Sequence, residues 1–332
     1  MAKKRFFSMR PPLEGLRAAP GWKRALRQPR TRLGAAILLV LVLTIFLSPL
    51  LVPYGYSQII TVDGQRDRGA KNLAPFEYSQ MEREAIARGE TIFPHIFGTD
   101  ELCRDYFVRV MYGARVSLLT GVLATLVVLV IGTAYGAVAG YAGGKADLWM
   151  MRLVDLIYAL PDTLMVILFS VVLDQTLMEH IAGTALAKLG SNLLSLFIVF
   201  GALYWVGMAR LVRARVLSLK TDAYVLAARG LGAGPWRILR KHILPGCAPV
   251  MLAAAAMQVP SAIFTESFLS FIGLGVQAPM PSLGALANAA RGALGSYPHK
   301  LIFPAAALFL IVLAFNLLSD GLHSALDPRA GR

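Results

Sequence analysis

Residues 116–142 read VSLLTGVLATLVVLVIGTAYGAVAGYA and include no charged side chain. A helix needs about 20 predominantly apolar residues to cross a bilayer, so this stretch predicts a transmembrane helix with room for tilt. Gly132, Gly136 and Gly140 form a GxxxGxxxG stripe within it, and such stripes let helices approach closely in lipid. The stripe fits packing within the chain or against another subunit, and we favour packing within the chain.

Five further stretches have the length and composition of membrane spans: 33–52, 153–173, 193–209, 246–272 and 301–318. Acidic residues interrupt two of them, at Asp155 and Asp162 in the first case and at Glu266 in the second. Of the 332 residues, 56% are hydrophobic and 16% are charged, which is more apolar surface than a soluble domain of this size can bury. The sequence therefore predicts an all-α membrane protein of about six transmembrane helices.

The basic residues are confined to blocks between the apolar stretches. Residues 1–32 contain ten basic residues and one acid, and residues 210–245 contain eight and one, whereas 54–115 contains eight basic residues and nine acids. Positively charged loops stay in the cytoplasm, and six spans place the two strongly basic segments on the same side. We therefore predict that both termini, including the tail 323–332, are cytoplasmic and that 53–113 is an external loop.

Three acidic residues lie inside the predicted spans. We expect Asp155 at the cytoplasmic interface beside Arg152, where an ion pair costs little. Pro161 lacks a backbone N–H and is expected to bend or break the helix just before Asp162. Glu266 is expected to reach the external interface. Because these scattered acids form no relay, they disfavour a proton-coupled secondary transporter.

Other classes of protein lack support in the sequence. The net charge is +14, but no basic face with interleaved aromatics indicates nucleic-acid binding. Cys103 and Cys247 have no metal-binding spacing and fall on opposite sides of the predicted topology, so no disulfide is expected between them. The sequence GxxxxGK[ST] of a nucleotide-binding loop does not occur, nor does GxSxG. We therefore predict no catalytic residue, no metal site and no cofactor in this chain.

Residues 220–245, KTDAYVLAARGLGAGPWRILRKHILP, form the most informative part of the basic loop 210–245. Asp222 can cap a short helix that continues through Arg229, and Pro235 can begin a second helix. Three glycines are expected to end the first helix: Gly230, Gly232 and Gly234. The small residues expected on the exposed turn would let another protein approach the backbone: Ala227, Ala228 and Gly232.

This loop resembles the EAA loop of binding-protein-dependent ABC importer permeases, in which EAA, three residues and Gly are followed by a short run to ILP. The matching residues are Ala227, Ala228, Gly232, Ile243, Leu244 and Pro245. Leu226 stands where the family usually has Glu. The resemblance implies a coupling helix that docks in a cleft of a cytoplasmic ATPase. It assigns this coupling role to Tyr224, Leu226, Ala227, Ala228, Gly230, Leu231, Gly232, Ala233, Ile243, Leu244 and Pro245.

Further segments are similar to the second permease subunit of dipeptide and oligopeptide importers. Residues 97–105, FGTDELCRD, resemble that family's FGTDxxGRD, with Cys103 in place of the usual Gly. Residues 140–144, GYAGG, and the ending 316–328 also match. The resemblance covers nearly the whole chain from Arg24 onward.

The resemblance implies a MetI-like permease fold for 114–322 in a bacterial inner membrane. It implies a second homologous permease, two ATPase subunits that bind ATP and Mg²⁺, and an external substrate-binding protein as partners, besides membrane lipid. Peptides are the implied cargo. A nickel chelate or another small solute is the alternative, and a secondary transporter is less favoured. The substrate-binding residues are not identified by the sequence.

Within the external loop, residues 80–90, QMEREAIARGE, predict a short polar helix. A solvated connector is the interpretation that we favour. A contact for the external binding protein is the alternative.

Overall fold

The computed structural model describes residues 28–181, 191–276 and 280–326. The described chain is mostly helical, with one two-stranded hairpin. The elements are α1 (Pro29–Leu51), β1 (Thr61–Val62), β2 (Gln65–Arg66), α2 (Gln80–Ala87), α3 (Tyr106–Ala142), α4 (Gly144–Tyr158), α5 (Asp162–Ile181), α6 (Ser191–Val199), α7 (Trp205–Leu219), α8 (Ala223–Gly230), α9 (Pro235–Ile238), α10 (Leu244–Phe271), α11 (Leu283–Ala290) and α12 (His299–Leu326). Most of the predicted basic arm, 1–27, and the end of the predicted tail, 327–332, lie outside the described residues.

Within the described residues, five helical segments are long and apolar enough to cross a membrane, and a bent pair brings the number to six if it counts as one span. Five are long apolar helical segments: Pro29–Leu51, Tyr106–Ala142, Leu193–Leu219, Pro235–Phe271 and His299–Leu322. The sixth is a bent pair, Gly144–Tyr158 with Asp162–Leu173. The prediction of an all-α membrane protein with about six spans is therefore confirmed.

The bent pair departs from the predicted straight span 153–173. The two helices meet at 84°, and the break falls at residues 159–161, where Pro161 removes a backbone donor as expected. Residues 153–158 therefore belong to α4, which runs in a different direction from α5. The prediction that Asp155 pairs with Arg152 is wrong, because the Asp155 carboxylate lies 2.6 Å from the guanidinium of Arg210 on α7.

Two spans extend well beyond the predicted stretches. A π-helical turn, Phe200–Tyr204, joins α6 to α7, so that helical structure continues to Leu219. A second π turn, Leu239–Ile243, joins α9 to α10. The predicted loop 210–245 is thus helical at both ends, and Pro245 lies in the first turn of α10, directly after the π turn. A preceding π turn is one way for a helix to accommodate the missing proline donor.

The long helix α3 packs on α7 through its glycine stripe. A Cβ atom added at Gly132 would lie 2.6 Å from the Cβ of Met208, and one at Gly140 would lie 3.0 Å from the carbonyl oxygen of Arg213. A Cβ at Gly136 would collide with the backbone of Ala209. The stripe therefore packs within the chain, as favoured from the sequence, because larger side chains would hold the two backbones apart.

Candidate coupling surface at the basic end of the bundle

The segment between α7 and α9 folds as a helix, a tight turn and a second helix, as the sequence predicts. Asp222 occupies the N-cap of α8, although its side chain makes no capping hydrogen bond. The helix ends at Gly230, and Gly232 has φ +83°, a conformation that costs residues with a Cβ roughly 1–2 kcal/mol. Pro235 begins α9, with Gly234 as its N-cap.

Helix α8 is fastened to the ends of two spans by its inner side. Val225 is fully buried in a cluster with Val216 and Leu219 of α7 and with Ile243 and Cys247 next to and within α10. Contacts of this kind join α8 to both spans at once.

A hydrogen bond and a close approach strengthen this attachment. The Tyr224 hydroxyl donates to the carbonyl oxygen of His242 at 3.2 Å, across the turn. A Cβ at Gly246 would lie 2.8 Å from a methyl carbon of Leu219 and 3.5 Å from the Tyr224 hydroxyl. The feet of α7 and α10 and the start of α8 are thus in direct contact.

The outer side of α8 presents small residues flanked by large apolar ones. At 100° per residue, Ala223, Ala227 and Gly230 lie opposite the buried Val225, with Leu226 to one side and Leu231 to the other. Leu226 is 51% exposed and Leu231 is 90% exposed. We call the strip formed by Ala223, Leu226, Ala227, Gly230 and Leu231 the docking face.

The eleven residues assigned to coupling by resemblance divide into two groups. Those on or beside the docking face are exposed: Tyr224, Leu226, Ala227, Gly230, Leu231 and Gly232. Ala228, Ala233 and Leu244 are half-buried, Ile243 is fully buried and Pro245 is exposed at the foot of the span. Ile243 can therefore act only by joining α8 to α10, whereas Leu226 and Leu231 are available to a partner.

Two ion pairs hold α4 against α7, and the sequence alone did not reveal them. Arg213 contacts both carboxylate oxygens of Asp147, at 2.5 and 2.6 Å, and Arg210 contacts Asp155. Bidentate pairing of this kind fixes geometry as well as charge. The only available signal was the (i, i+3) spacing of the two arginines on one helix face.

Comparison of the sequence with known protein families identifies the family of this chain. The model of the binding-protein-dependent transport system inner membrane component matches residues 132–332. The chain belongs to this family of transport-system inner membrane components. A second model, the N-terminal TM domain of oligopeptide transport permease C, matches residues 19–75.

Curated relatives of this permease agree with the family. The chain is 45% identical to the dipeptide transport system permease protein DppC of Bacillus subtilis (strain 168), over 72% of this chain and 70% of that one. It is 43% identical to the oligopeptide transport system permease protein OppC of the same organism, over 71% and 72%. It is 36% identical to the glutathione transport system permease protein GsiD of Pectobacterium atrosepticum, over 93% and 90%.

A cavity of about 420 Å³ lies in the permease at the break between α4 and α5. It is lined by the end of α4, the start of α5 and the stretch from Leu203 to Gly207. Asp162 is exposed at its edge, and its carboxylate accepts a hydrogen bond from the backbone N–H of Thr163 at 2.7 Å. The carboxylate makes no ion pair with any described residue, and an acid in the first turn of α5 interacts favourably with the helix dipole.

Glu266 does not reach the external interface, and that expectation is wrong. Its side chain is fully buried in α10, where it accepts hydrogen bonds from the hydroxyls of Ser117 at 2.7 Å and Ser270 at 2.8 Å. Ser117 lies on α3, and its hydroxyl also accepts the N–H of Leu283 at the start of α11, at 3.4 Å. The buried carboxylate and Ser117 thus tie together α3, α10 and the start of α11.

The segment 52–105 between α1 and α3, which was predicted to be an external loop, contains a second buried polar network. His95 is fully buried between two carboxylates, with Nδ1 at 2.8 Å from Asp105 and Nε2 at 2.9 Å from Glu82. Burial lowers the pKa of His95, but the hydrogen bonds and charges of Asp105 and Glu82 outweigh it and raise the pKa to about 9. The imidazole is therefore protonated at neutral pH.

The partners of His95 also define local structure. Glu82 completes a capping box with Ser79 at the start of α2, which lies within the short helix predicted over 80–90. Asp105 caps the long span α3 by accepting the N–H of Val108 at 2.9 Å. His95 therefore links α2, through Glu82, to the N-terminus of α3, through Asp105.

The backbone conformation at Cys103 explains why the family pattern has glycine at this position. Cys103 has φ +59°, in the left-handed region that favours glycine, and its side chain is 3% exposed in a cluster with Ile60, Ala70 and Leu73. The backbone conformation belongs to the fold, and this chain adopts it with a small side chain that also packs.

Proposed function

We propose that this chain is one of two permease subunits of an ATP-driven importer for peptides. The observation that carries the proposal is the docking face on a helix that is packed against two membrane spans. A surface of this kind can receive a cytoplasmic ATPase and convert its movement into a movement of the spans. The names of the relatives, which include dipeptide, oligopeptide and glutathione permeases, support peptides as cargo.

In this mechanism two cytoplasmic ATPase subunits bind ATP and Mg²⁺, and each receives one coupling helix. Closure of the ATPases moves α8, and hydrolysis resets it, so that the pathway between this chain and a homologous permease opens alternately to each side. An external binding protein delivers the substrate. The excess of basic residues in 1–32 and 210–245 supports a cytoplasmic location for both termini.

The test replaces Gly232 with a bulky residue at the exposed turn. Gly232→Trp is expected to abolish co-purification of the ATPases and uptake of a labelled dipeptide in cells, while the permease still inserts. Gly64→Trp is the matched control, because Gly64 also has positive φ, with no atom within 4 Å of an added Cβ, but lies in the external hairpin. Uptake that survives deletion of residues 220–234 would show that the proposed mechanism is wrong.

A further inference from the structure

An unpaired carboxylate lies at the cavity between α4 and α5. The Oδ1 atom of Asp162 accepts hydrogen bonds from the backbone N–H of Thr163 at 2.7 Å and from the Thr163 hydroxyl at 3.3 Å. Among the described residues, none donates a hydrogen bond to Oδ2 and none forms an ion pair with the carboxylate. One carboxylate oxygen therefore remains available to a ligand in the cavity.

The cavity borders an uncharged part of a membrane span. Its wall from Leu203 to Gly207 lies within residues 193–209, which contain no charged side chain. Asp162 begins the second helix of the bent pair that makes up another span. A carboxylate at such a position is costly without a cation, and it typically marks the route of a substrate or an ion. Its position therefore points to a cationic ligand.

Helical structure is interrupted on two sides of the cavity. Residues 159–161 separate α4 from α5, and the π turn Phe200–Tyr204 joins α6 to α7 at another wall. Broken helices and π turns occur frequently at binding sites in transporters, because they free backbone polar groups toward a ligand. The interruptions support a ligand site at this cavity independently of the carboxylate.

The arginine that follows this wall along α7 is already paired. The guanidinium of Arg210 lies 2.6 Å from the Asp155 carboxylate and 4.2 Å from the centre of the Tyr158 ring. Both partners belong to α4 and hold the guanidinium there. Asp162 is thus left without a basic partner among the residues that the structure describes, and a ligand can supply the cation.

The remaining walls of the cavity select the kind of cation. Leu160, Met165 and Leu203 contribute apolar side chains, and Tyr158 and Tyr204 contribute aromatic rings. Hard metal cations take six or more oxygen ligands, whereas the described lining contains one carboxylate. An ammonium group on an organic molecule fits this lining better. The carboxylate can pair with it, the rings attract it, and its apolar substituents contact the walls.

We propose that Asp162 and this cavity bind the amino-terminal ammonium of a peptide on its way through the permease. Every unblocked peptide carries this group whatever its side chains, and at neutral pH it is mostly protonated, because the pKa of an α-amino group is about 8. This inference rests on the proposed function, since it takes a peptide as the cargo. It adds the group of the cargo that the permease recognises and the residue that recognises it.

The first experiment reports occupancy of the cavity through a thiol at residue 207. A Cβ added at Gly207 meets no atom within 4 Å, so Gly207→Cys is expected to fold and to place its thiol on the cavity wall. Cys103 and Cys247 are buried, and the unsubstituted protein measures their background. The full-length permease, purified with its subunits, is labelled with N-ethylmaleimide at increasing concentrations of the dipeptide Ala-Ala. The dipeptide is expected to slow the labelling until the site is saturated.

Two comparisons test the ammonium and the carboxylate separately. N-acetyl-Ala-Ala lacks the ammonium and should need a concentration about tenfold higher, or more, for the same protection. Asp162→Asn, added to Gly207→Cys, keeps the side-chain size and can still cap α5. It should weaken protection by Ala-Ala to the same extent and leave protection by N-acetyl-Ala-Ala unchanged.

Three outcomes of this labelling would overturn the proposal. Equal protection by the two peptides would exclude recognition of the ammonium. Labelling that Ala-Ala does not slow would exclude binding in the cavity. A thiol that does not react at all would show that lipid or another subunit fills the cavity.

The second experiment measures uptake of labelled Ala-Ala by cells. Asp162→Asn is expected to lower the maximal rate about tenfold, whereas Asp162→Glu keeps the charge and should recover most of the rate. Glu84→Gln removes an exposed carboxylate from α2 and is the matched control, with an unchanged rate expected. Equal melting temperatures of Asp162→Asn and Glu84→Gln would separate loss of the site from loss of the fold. A rate for Asp162→Asn that equals or exceeds that of the unsubstituted permease would overturn the proposal.

The two levels of inference fail differently. If cells with the unsubstituted permease do not take up Ala-Ala, the proposed function fails and this inference fails with it. If they take up Ala-Ala, while Asp162→Asn is equally active and the thiol at residue 207 is not protected, only the ammonium site is overturned.

Discussion

Charged and polar groups are buried and paired in one region of the chain, residues 79–105 with Glu266, and exposed in another, residues 229–241. In the first region, His95, Glu82, Asp105 and Glu266 are buried, and each has hydrogen-bond partners within the chain. In the second region, the arginines of the segment 229–241 are exposed and make no ion pair with any described residue. The buried groups of the first region are satisfied within the chain, whereas the exposed arginines of 229–241 are accessible to a partner, beside the internal ion pairs of Arg210 and Arg213.

The largest expected effect comes from removing His95. His95→Ala leaves Glu82 and Asp105 buried without their shared cation, which costs about 3–5 kcal/mol. We expect a clear fall in the melting temperature in detergent. We also expect faster proteolysis of the segment 52–105. Arg88→Ala, which breaks only exposed ion pairs in the same loop, is the control and should leave both nearly unchanged. An unchanged melting temperature for His95→Ala would contradict the buried network.

The same network predicts a loss of stability at alkaline pH. Because the pKa of His95 is raised to about 9 when folded, its contribution is fully present below its unfolded value of 6.5 and is lost as pH rises through 9. This contribution is at most about 3 kcal/mol. Amide protection factors of residues 80–105 are therefore expected to fall between pH 7 and pH 10.

Two neighbours and one variant serve as checks on this pH dependence. Burial raises the pKa of Tyr54, which stacks on His95, so the phenol stays neutral through this range. Burial also raises the pKa of Glu82, but hydrogen bonds from His95 and Ser79 outweigh it and lower the pKa, so its contribution is lost only in acid. His95→Gln should show lower protection at pH 7 and no further fall by pH 10. A parallel fall in that variant would exclude His95 as the cause.

A smaller effect is expected where α3 meets α7. Gly136→Val places a branched side chain against the backbone of Ala209, and overpacking of this kind costs about 1–3 kcal/mol. Gly207→Val is the control, since a Cβ at Gly207 meets no atom within 4 Å. Thermal unfolding of the two variants should separate them, and equal melting temperatures would show that the glycine stripe does not set the helix distance.

A still smaller effect is expected from Cys103→Gly, which tests the left-handed backbone conformation at residue 103. Glycine relieves a left-handed conformation that costs about 1–2 kcal/mol, and it removes a buried side chain of similar value. The melting temperature should therefore change little. A large fall would mean that the thiol, and not the backbone, determines the residue at this position.

The smallest effect on stability is expected from a change at Arg229, in the exposed segment 229–241. Arg229→Gln should leave the melting temperature of the isolated permease unchanged, because no described residue pairs with this guanidinium. Loss of stability on this change would show that Arg229 has a partner within the chain. Calorimetry of the permease without ATPases makes the measurement.

The sequence by itself determined the six spans and the helix–turn–helix of the basic loop. A helix in lipid satisfies its own backbone hydrogen bonds, so its existence depends on a local stretch of apolar residues. Glycine and proline likewise act on their immediate neighbours, which is why the ends of α8 and the break at Pro161 could be predicted. The family pattern added the expectation that the loop faces an ATPase.

Only the tertiary structure decided where the polar residues of the spans and loops point. Asp155 forms an ion pair with Arg210 rather than with the nearby Arg152. Glu266 is buried and accepts a hydrogen bond from Ser117, which is far away in sequence. The sequence did not predict the extension of α7 to Leu219, because α7 contains arginines and hydropathy assigns a stretch with arginines to a loop. In the structure, Arg210 and Arg213 form ion pairs with α4. These outcomes depend on which distant partner is within hydrogen-bond distance, and packing, not local composition, sets that distance.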